Sequence, residues 1–256
     1  MLLTIDVGNT NVCFGILDGD EIVGRYRLRT GTAGTSDEFG LFLNAFMQNS
    51  GIEKEQIEDV IISSVVPKLM YSLTSAIIKY IGKQPIIVDY TMKTGITVTS
   101  ANPSSIGADR IVNTSWAWNT FHSSAIVIDF GTATTFDYVS PEGEFKYVVI
   151  MPGLDVSRNA LISGTAKLPD VEIVDPGTVL GKTTVEGIQI GLVYGYTGSI
   201  EFIVNKMKEE LHDPNCRVIA TGGLGRVIAE ETDAIDEYDP DIAYKGLRIL
   251  YDLNKA

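Results

Sequence analysis

Asp6 and Asp129 each close an apolar run and open an Asp-x-Gly bend, in "LLTIDVGNTNVCFGIL" from Leu2 and "AIVIDFGTATTFDYV" from Ala125, about half of the 256-residue chain apart. Glycine after the carboxylate lets the backbone approach an anion. Asn9, Thr10 and Asn11 in one bend, and Thr132, Ala133 and Thr134 in the other, add N–H and side-chain donors that can cradle phosphate oxygens. A carboxylate beside such a cradle can hold a metal ion, directly or through water. One such bend is explained by the turn preferences of Asp and Gly alone. Two, each ending an apolar strand, point to a duplicated phosphate-binding element. A further pair, Gly222 and Gly223 in "VIATGGLG", follows another apolar strand. Bare backbone there would admit a flat ligand such as adenine, although strand-to-helix turns also use glycine.

The elements that position these residues repeat as well. After the first bend "FGIL" continues a strand, "DGD" turns and "EIVGRYRLRT" returns; after the second, "FDYV", "SPEGE" and "FKYVVIM" do the same. Thr35 with Glu38 forms a capping box for a helix with Phe39, Leu43 and Phe46 on one face. A strand "DVIISSVV", a helix from Pro67 to Ile81 and a strand "PIIVDY" follow. The second half gives helices near Ser157 to Gly164 and Thr184 to Leu211, a strand "CRVIATGG" and a last helix near Ala243 to Asn254. Hairpins followed by alternating helix and strand, twice over, predict two stacked α/β domains, 1–118 and 119–256.

Composition excludes several classes. A net charge of −13 without a block of Lys and Arg argues against nucleic acid. Apolar runs such as Ile57 to Val66 are interrupted well short of the roughly 18 to 20 residues that a membrane span needs. The first residues enter a strand pattern with no basic n-region, so secretion is not expected. Cys13 and Cys216 read as buried thiols of a cytoplasmic protein. His122 and His212, the two histidines, have no spacing suited to zinc. "GTVLGKTT" from Gly177 imitates a Walker phosphate loop, but Gly181 follows too soon; Thr183 with Glu186 instead reads as a capping box that opens a long helix.

Two Asp-x-Gly hairpins and a late Gly-Gly resemble the phosphate-1, phosphate-2 and adenosine motifs of the superfamily of actin, Hsp70 and the sugar kinases. Within it, "DVGNTN", "GADR", "DFGTATTFD", "GKTT" and "ATGGLG", in that order, resemble type III pantothenate kinase over essentially the whole chain. The resemblance implies two duplicated RNase H-like α/β domains. It also implies phosphorylation of pantothenate by ATP, the first step towards coenzyme A, in a homodimer that uses Mg²⁺ and a monovalent cation, K⁺ or NH₄⁺.

Phosphoryl transfer is mostly positioning and charge neutralisation, which gives these residues roles. By this resemblance Asp6, Val7, Gly8, Asn9, Thr10 and Asn11 bind ATP, with Asp6 on Mg²⁺; Thr132, Gly222 and Gly223 also contact the nucleotide, and Asp129 holds the monovalent cation. Asp109 in "GADR" is the candidate base for the acceptor hydroxyl. Arg110 suits the substrate carboxylate, because a guanidinium binds both oxygens. Gly107, Ala108 and Thr184 complete the pantothenate contacts. Asp109 and Arg110 also fit an ordinary exposed pair at the start of a helix running towards Trp118.

The chain departs from the family pattern twice. Ser100 stands where the family has a tyrosine contact to pantothenate, and Tyr147 and Val148 stand where it has Gly-Gly. Two alternatives therefore accompany the pantothenate reading: a kinase for another small hydroxylated substrate, and a non-catalytic nucleotide-binding regulator.

Overall fold

The computed structural model describes residues 1–99 and 102–255. The chain divides into two compact units, Met1–Asn119 together with the segment from Asp241, and Thr120–Pro240.

The first unit opens with β1 (Leu2–Val7), β2 (Asn11–Asp18) and β3 (Glu21–Arg29), the predicted hairpin and its return. Helix α1 (Ser36–Ser50) follows, then β4 (Asp59–Ser64), α2 (Pro67–Ala76), β5 (Ile86–Ile87), β6 (Thr97–Val98) and α3 (Ala108–Phe121). The sheet runs β3-β2-β1-β4-β5. Capping by Thr35 and Glu38 is reciprocal, as expected for the start of α1. The helix predicted to Ile81 loses its α geometry at Ile77, where a π-helical turn reaches to Ile81.

β1 alternates its burden between two layers, because successive side chains of a strand point to opposite faces. Leu3, Ile5 and Val7 join Phe39 and Leu43 of α1 and Leu69 and Leu73 of α2 in one core. Leu2, on the opposite face, packs with Ile61, Ala108, Val112, Leu247 and Leu250. Asp6 shares the face of Leu2, so it points towards the layer that contains α3.

The second unit repeats the plan. β7 (Ala125–Phe130), β8 (Ala133–Val139) and β9 (Glu144–Pro152) form the hairpin and its return. Helices α4 (Leu154–Ser163) and α5 (Thr184–Glu210), strand β10 (Arg217–Thr221), the short helix α6 (Gly225–Ala229) and β11 (Glu237–Tyr238) follow. Within this unit the strands lie in the order β9-β8-β7-β10-β11, matching β3-β2-β1-β4-β5. Ile126, Ile128 and Phe130 pack with Ile188, Leu192, Tyr196 and Ile200 of α5.

One division differs from the expectation of 119–256 as a single domain. The last helix, α7 (Ile242–Asn254), belongs to the first unit. Leu247 and Leu250 bury against Leu2 and Ile61 there. Gly246 backs onto Val112 so closely that an added Cβ would lie 2.6 Å from its carbonyl oxygen. Arg25 donates from Nε and Nη2 to the Asp241 carboxylate at 2.8 and 2.6 Å, fixing the entry to the helix. Among the described residues, no helix is long and apolar enough to cross a membrane.

Candidate active site

The first Asp-x-Gly bend is a tight link between β1 and β2. Gly8 N–H donates to the Asn11 carbonyl at 2.9 Å, and a Cβ on Gly8 would press on that same oxygen. Thr30, just past β3, supports the bend: its hydroxyl donates to the Gly8 carbonyl at 2.7 Å and its N–H to the Thr10 carbonyl at 2.8 Å. Asn9 and Thr10 are left exposed at the tip. These are the positions from which donors could reach a phosphate.

Asp6 sits at the root of this bend, half-buried. Its strand neighbours in register are Cys13 on β2 and Ser63 on β4. Burial first, and then the negative charge of Asp109, push its carboxyl up to about 7, while the Ser63 hydroxyl pulls it down. A buried carboxylate beside a second carboxylate resists ionisation until a cation joins it.

Asp109 comes from the first turn of α3. Its Oδ1 accepts the Arg110 N–H at 2.8 Å, so the carboxylate folds back over the helix start. Gly107 makes room for this fold: a Cβ there would lie 2.4 Å from Asp109 Oδ1. Burial holds the Asp109 carboxyl above its usual range, against the Arg110 amide and guanidinium, which lower it. Asp109 and Arg110 are both half-buried, so the exposed-pair reading does not describe them. The structure thus brings Asp6, the Gly8 to Asn11 bend and the Gly107 to Arg110 segment together in one unit.

The second bend carries Asp129, aligned with Thr135 on β8 and Thr221 on β10. Gly153 is tucked beneath it, where a Cβ would lie 2.3 Å from the Gly131 carbonyl oxygen and 2.5 Å from that of Thr132. Tyr196 of α5 braces the same region, its hydroxyl lying 2.6 Å from Thr134 Oγ1 and 2.8 Å from the Pro152 carbonyl oxygen. Gly222 adopts φ +97° and approaches the Phe130 backbone, leaving 2.6 Å between an added Cβ and its carbonyl carbon. The glycine at this position is therefore required by packing against the Asp-x-Gly strand, a reason the sequence did not disclose. Thr132 is exposed on the bend.

Thr184 lies apart from Asp129 in sequence and element, exposed in the first turn of α5. Its helix starts as predicted, with Thr183 and Glu186 capping each other reciprocally. Thr184 borders a depression with Leu161, Gly187, Ile188 and Gly191. Ser100 lies outside the described residues. Sequence reasoning missed Ser63 and Thr221, because a lone hydroxyl in an apolar strand gives no signal until strand pairing places it beside an aspartate.

Among the described residues no group of three or more His, Cys, Asp or Glu side chains is arranged to hold a metal ion. A single carboxylate such as Asp6 nevertheless suits Mg²⁺, which keeps several waters and binds through one or two carboxylates and the substrate phosphates.

The profile of the family described as type III pantothenate kinase matches residues 2–206. The chain belongs to the type III pantothenate kinase family. A type III pantothenate kinase of Agathobacter rectalis is 45% identical over 98% of this chain and 96% of its own length. That of Syntrophotalea carbinolica is also 45% identical, over the whole of both chains. In fold, the crystal structure of component A of the (R)-2-hydroxyglutaryl-CoA dehydratase of Acidaminococcus fermentans resembles it with a TM-score of 0.51 at 16% identity, covering 99% of each chain. The repeated strand order and the paired Asp-x-Gly bends make a duplicated α/β architecture.

Proposed function

We propose that this protein transfers the γ-phosphoryl group of ATP to the primary hydroxyl of pantothenate, giving ADP and phosphopantothenate on the way to coenzyme A. The observation that carries this reading is the meeting of Asp6 and Asp109, a cradle-side carboxylate and an acceptor-side carboxylate, in one unit. Asp109 accepts the hydroxyl proton as the oxygen attacks phosphorus, and its raised pKa makes it a better base than an exposed aspartate. Arg110 pairs with the pantothenate carboxylate. The Gly8 to Asn11 bend receives phosphate oxygens, and Asp6 is the ligand for Mg²⁺, which when bound neutralises phosphate charge.

In the second unit Thr132, Gly222 and Gly223 take part in nucleotide binding, and Asp129 anchors K⁺ or NH₄⁺. Thr184 contacts pantothenate. The working form is a cytoplasmic homodimer. Two features favour self-association: Gly187, Gly191, Gly195 and Gly198 form an exposed, bare stripe on α5, and Phe202 continues it at 71% exposure. Both cysteines are free, in keeping with a reducing compartment. The test is ADP release by the purified protein with Mg²⁺ and K⁺. Release should depend on pantothenate and should vanish with an analogue lacking the primary hydroxyl.

A further inference from the structure

Asp6 has a neighbour whose chemistry is unused. Ser63 lies directly across the parallel β1/β4 pair from it, on the same face of the sheet. Its side chain is fully buried, and its hydroxyl makes no hydrogen bond of ordinary geometry. A buried polar group left unmade costs stability, so its retention in an otherwise apolar strand calls for a use elsewhere. Every other residue at the centre of β4, from Val60 to Ile62, is aliphatic and buried.

The second unit repeats the arrangement. Thr221 lies across the parallel β7/β10 pair from Asp129, in the position that Ser63 holds relative to Asp6. Each Asp-x-Gly carboxylate thus has a buried hydroxyl beside it on the neighbouring parallel strand. The two strands are otherwise different in sequence, "DVIISS" and "RVIAT".

We propose that Ser63 is a positioning residue for Asp6: its hydroxyl donates to one carboxylate oxygen in the nucleotide-bound state and leaves the other oxygen directed at Mg²⁺ and its waters. This inference rests on the reading of Asp6 given above. Register and burial put the hydroxyl beside the Asp6 carboxylate, and hydrogen bonds to a charged acceptor are the stronger kind. Ser63 touches neither substrate nor phosphate in this scheme. It acts through Asp6.

Calorimetric titration of the whole protein with ATP, with Mg²⁺ and with EDTA, tests this on wild type, Ser63→Ala and Asp6→Ala. Ser63→Ala should weaken Mg·ATP binding about tenfold, leave binding of metal-free ATP unchanged, and melt at or above the wild-type temperature. Unchanged Mg·ATP affinity in Ser63→Ala overturns the proposal, as does equal loss with and without metal. A lower melting temperature, or failure to fold, also overturns it, because the hydroxyl would then be holding the free structure. Asp6→Ala separates the two levels. If it loses the Mg²⁺ dependence while Ser63→Ala keeps it, the role of Ser63 fails alone; if Asp6→Ala keeps it too, the reading of Asp6 fails.

Discussion

Asp6 at the end of β1 and Asp109 in the first turn of α3 lie near enough for the charge of Asp109 to add to burial in raising the Asp6 carboxyl to about 7. Both carboxylates are costly to ionise in the free protein. In the function proposed above, that cost suits a site that receives a cation and a proton in turn. On that proposal, a cation bound at Asp6 would remove most of the repulsion and leave Asp109 to take the proton.

Asp129 carries the prediction on monovalent cations. A carboxylate beside the second Asp-x-Gly bend, if that bend receives phosphate as proposed, can anchor K⁺ and offset phosphate charge. Steady-state rates should fall when Na⁺ replaces K⁺ at fixed ionic strength, and Asp129→Asn should lose that difference. Equal rates in the two salts would remove the cation from Asp129.

The ion pair between Arg25 and Asp241 should make stability depend on acid. The Arg25 hydrogen bonds hold the Asp241 carboxyl below its usual range, outweighing its partial burial. A carboxylate depressed by folding contributes stability that is present above the unfolded pKa and lost as pH falls through the folded one. Because Arg25 is about half exposed, screening limits the pair. Asp241→Asn should cost about 1 kcal/mol near neutrality. Urea unfolding at pH 7 and pH 3 checks it: the gap to wild type should close at the lower pH, and a constant gap would show that the charge is not its source.

Gly222 and Gly19 give a matched pair for backbone strain. Both have positive φ, +97° and +60°, but only Gly222 has atoms where a Cβ would go. Gly19→Ala should cost about 1 kcal/mol, from conformation alone. Gly222→Ala adds a collision with the Phe130 backbone and should cost several times as much. Thermal melts of the two variants that shifted alike would refute the close approach.

How much of this could be read from the residues depends on the distance over which each feature is determined. The hairpins, the capping boxes at Thr35 and Thr183, and both Asp-x-Gly bends are written in runs of a few residues, and they appear where the spacing puts them. The return of α7 to the first unit was hidden, since Leu247 and Leu250 meet Leu2 and Ile61 from the other end of the chain. The pairing of Ser63 with Asp6 was hidden for the same reason, being a matter of strand register. The sequence offers Gly222 as a nucleotide contact, whereas its packing against the Phe130 backbone required the neighbouring strand.

Specificity is the next prediction. Tyr147 and Val148, which the sequence reading sets against a Gly-Gly of the family, remain 57% and 44% exposed, with the Tyr147 ring stacked 5.9 Å from that of Tyr138. They therefore do not fill the core of their own unit. Pantothenate should show a high KM, and the combined change Ser100→Tyr, Tyr147→Gly and Val148→Gly should lower it. Loss of one tyrosine hydrogen bond alone accounts for about 0.5 to 1.5 kcal/mol. A wild-type KM near the micromolar end of the usual enzyme range would show these positions to be neutral.

The central claim is that Asp109 takes the proton of the pantothenate hydroxyl as phosphoryl transfer occurs, and Asp109→Asn tests it most directly. Single-turnover formation of phosphopantothenate should be measured for wild type and variant at saturating ATP, Mg²⁺, K⁺ and pantothenate, with nucleotide binding measured alongside. Because burial raises the Asp109 carboxyl, the wild-type rate should also fall on the acid side at a pH above the ordinary aspartate range. The account predicts a loss of about 10²-fold or more in transfer for Asp109→Asn, with ATP binding and melting temperature retained. A variant that forms phosphopantothenate at the wild-type rate would contradict it.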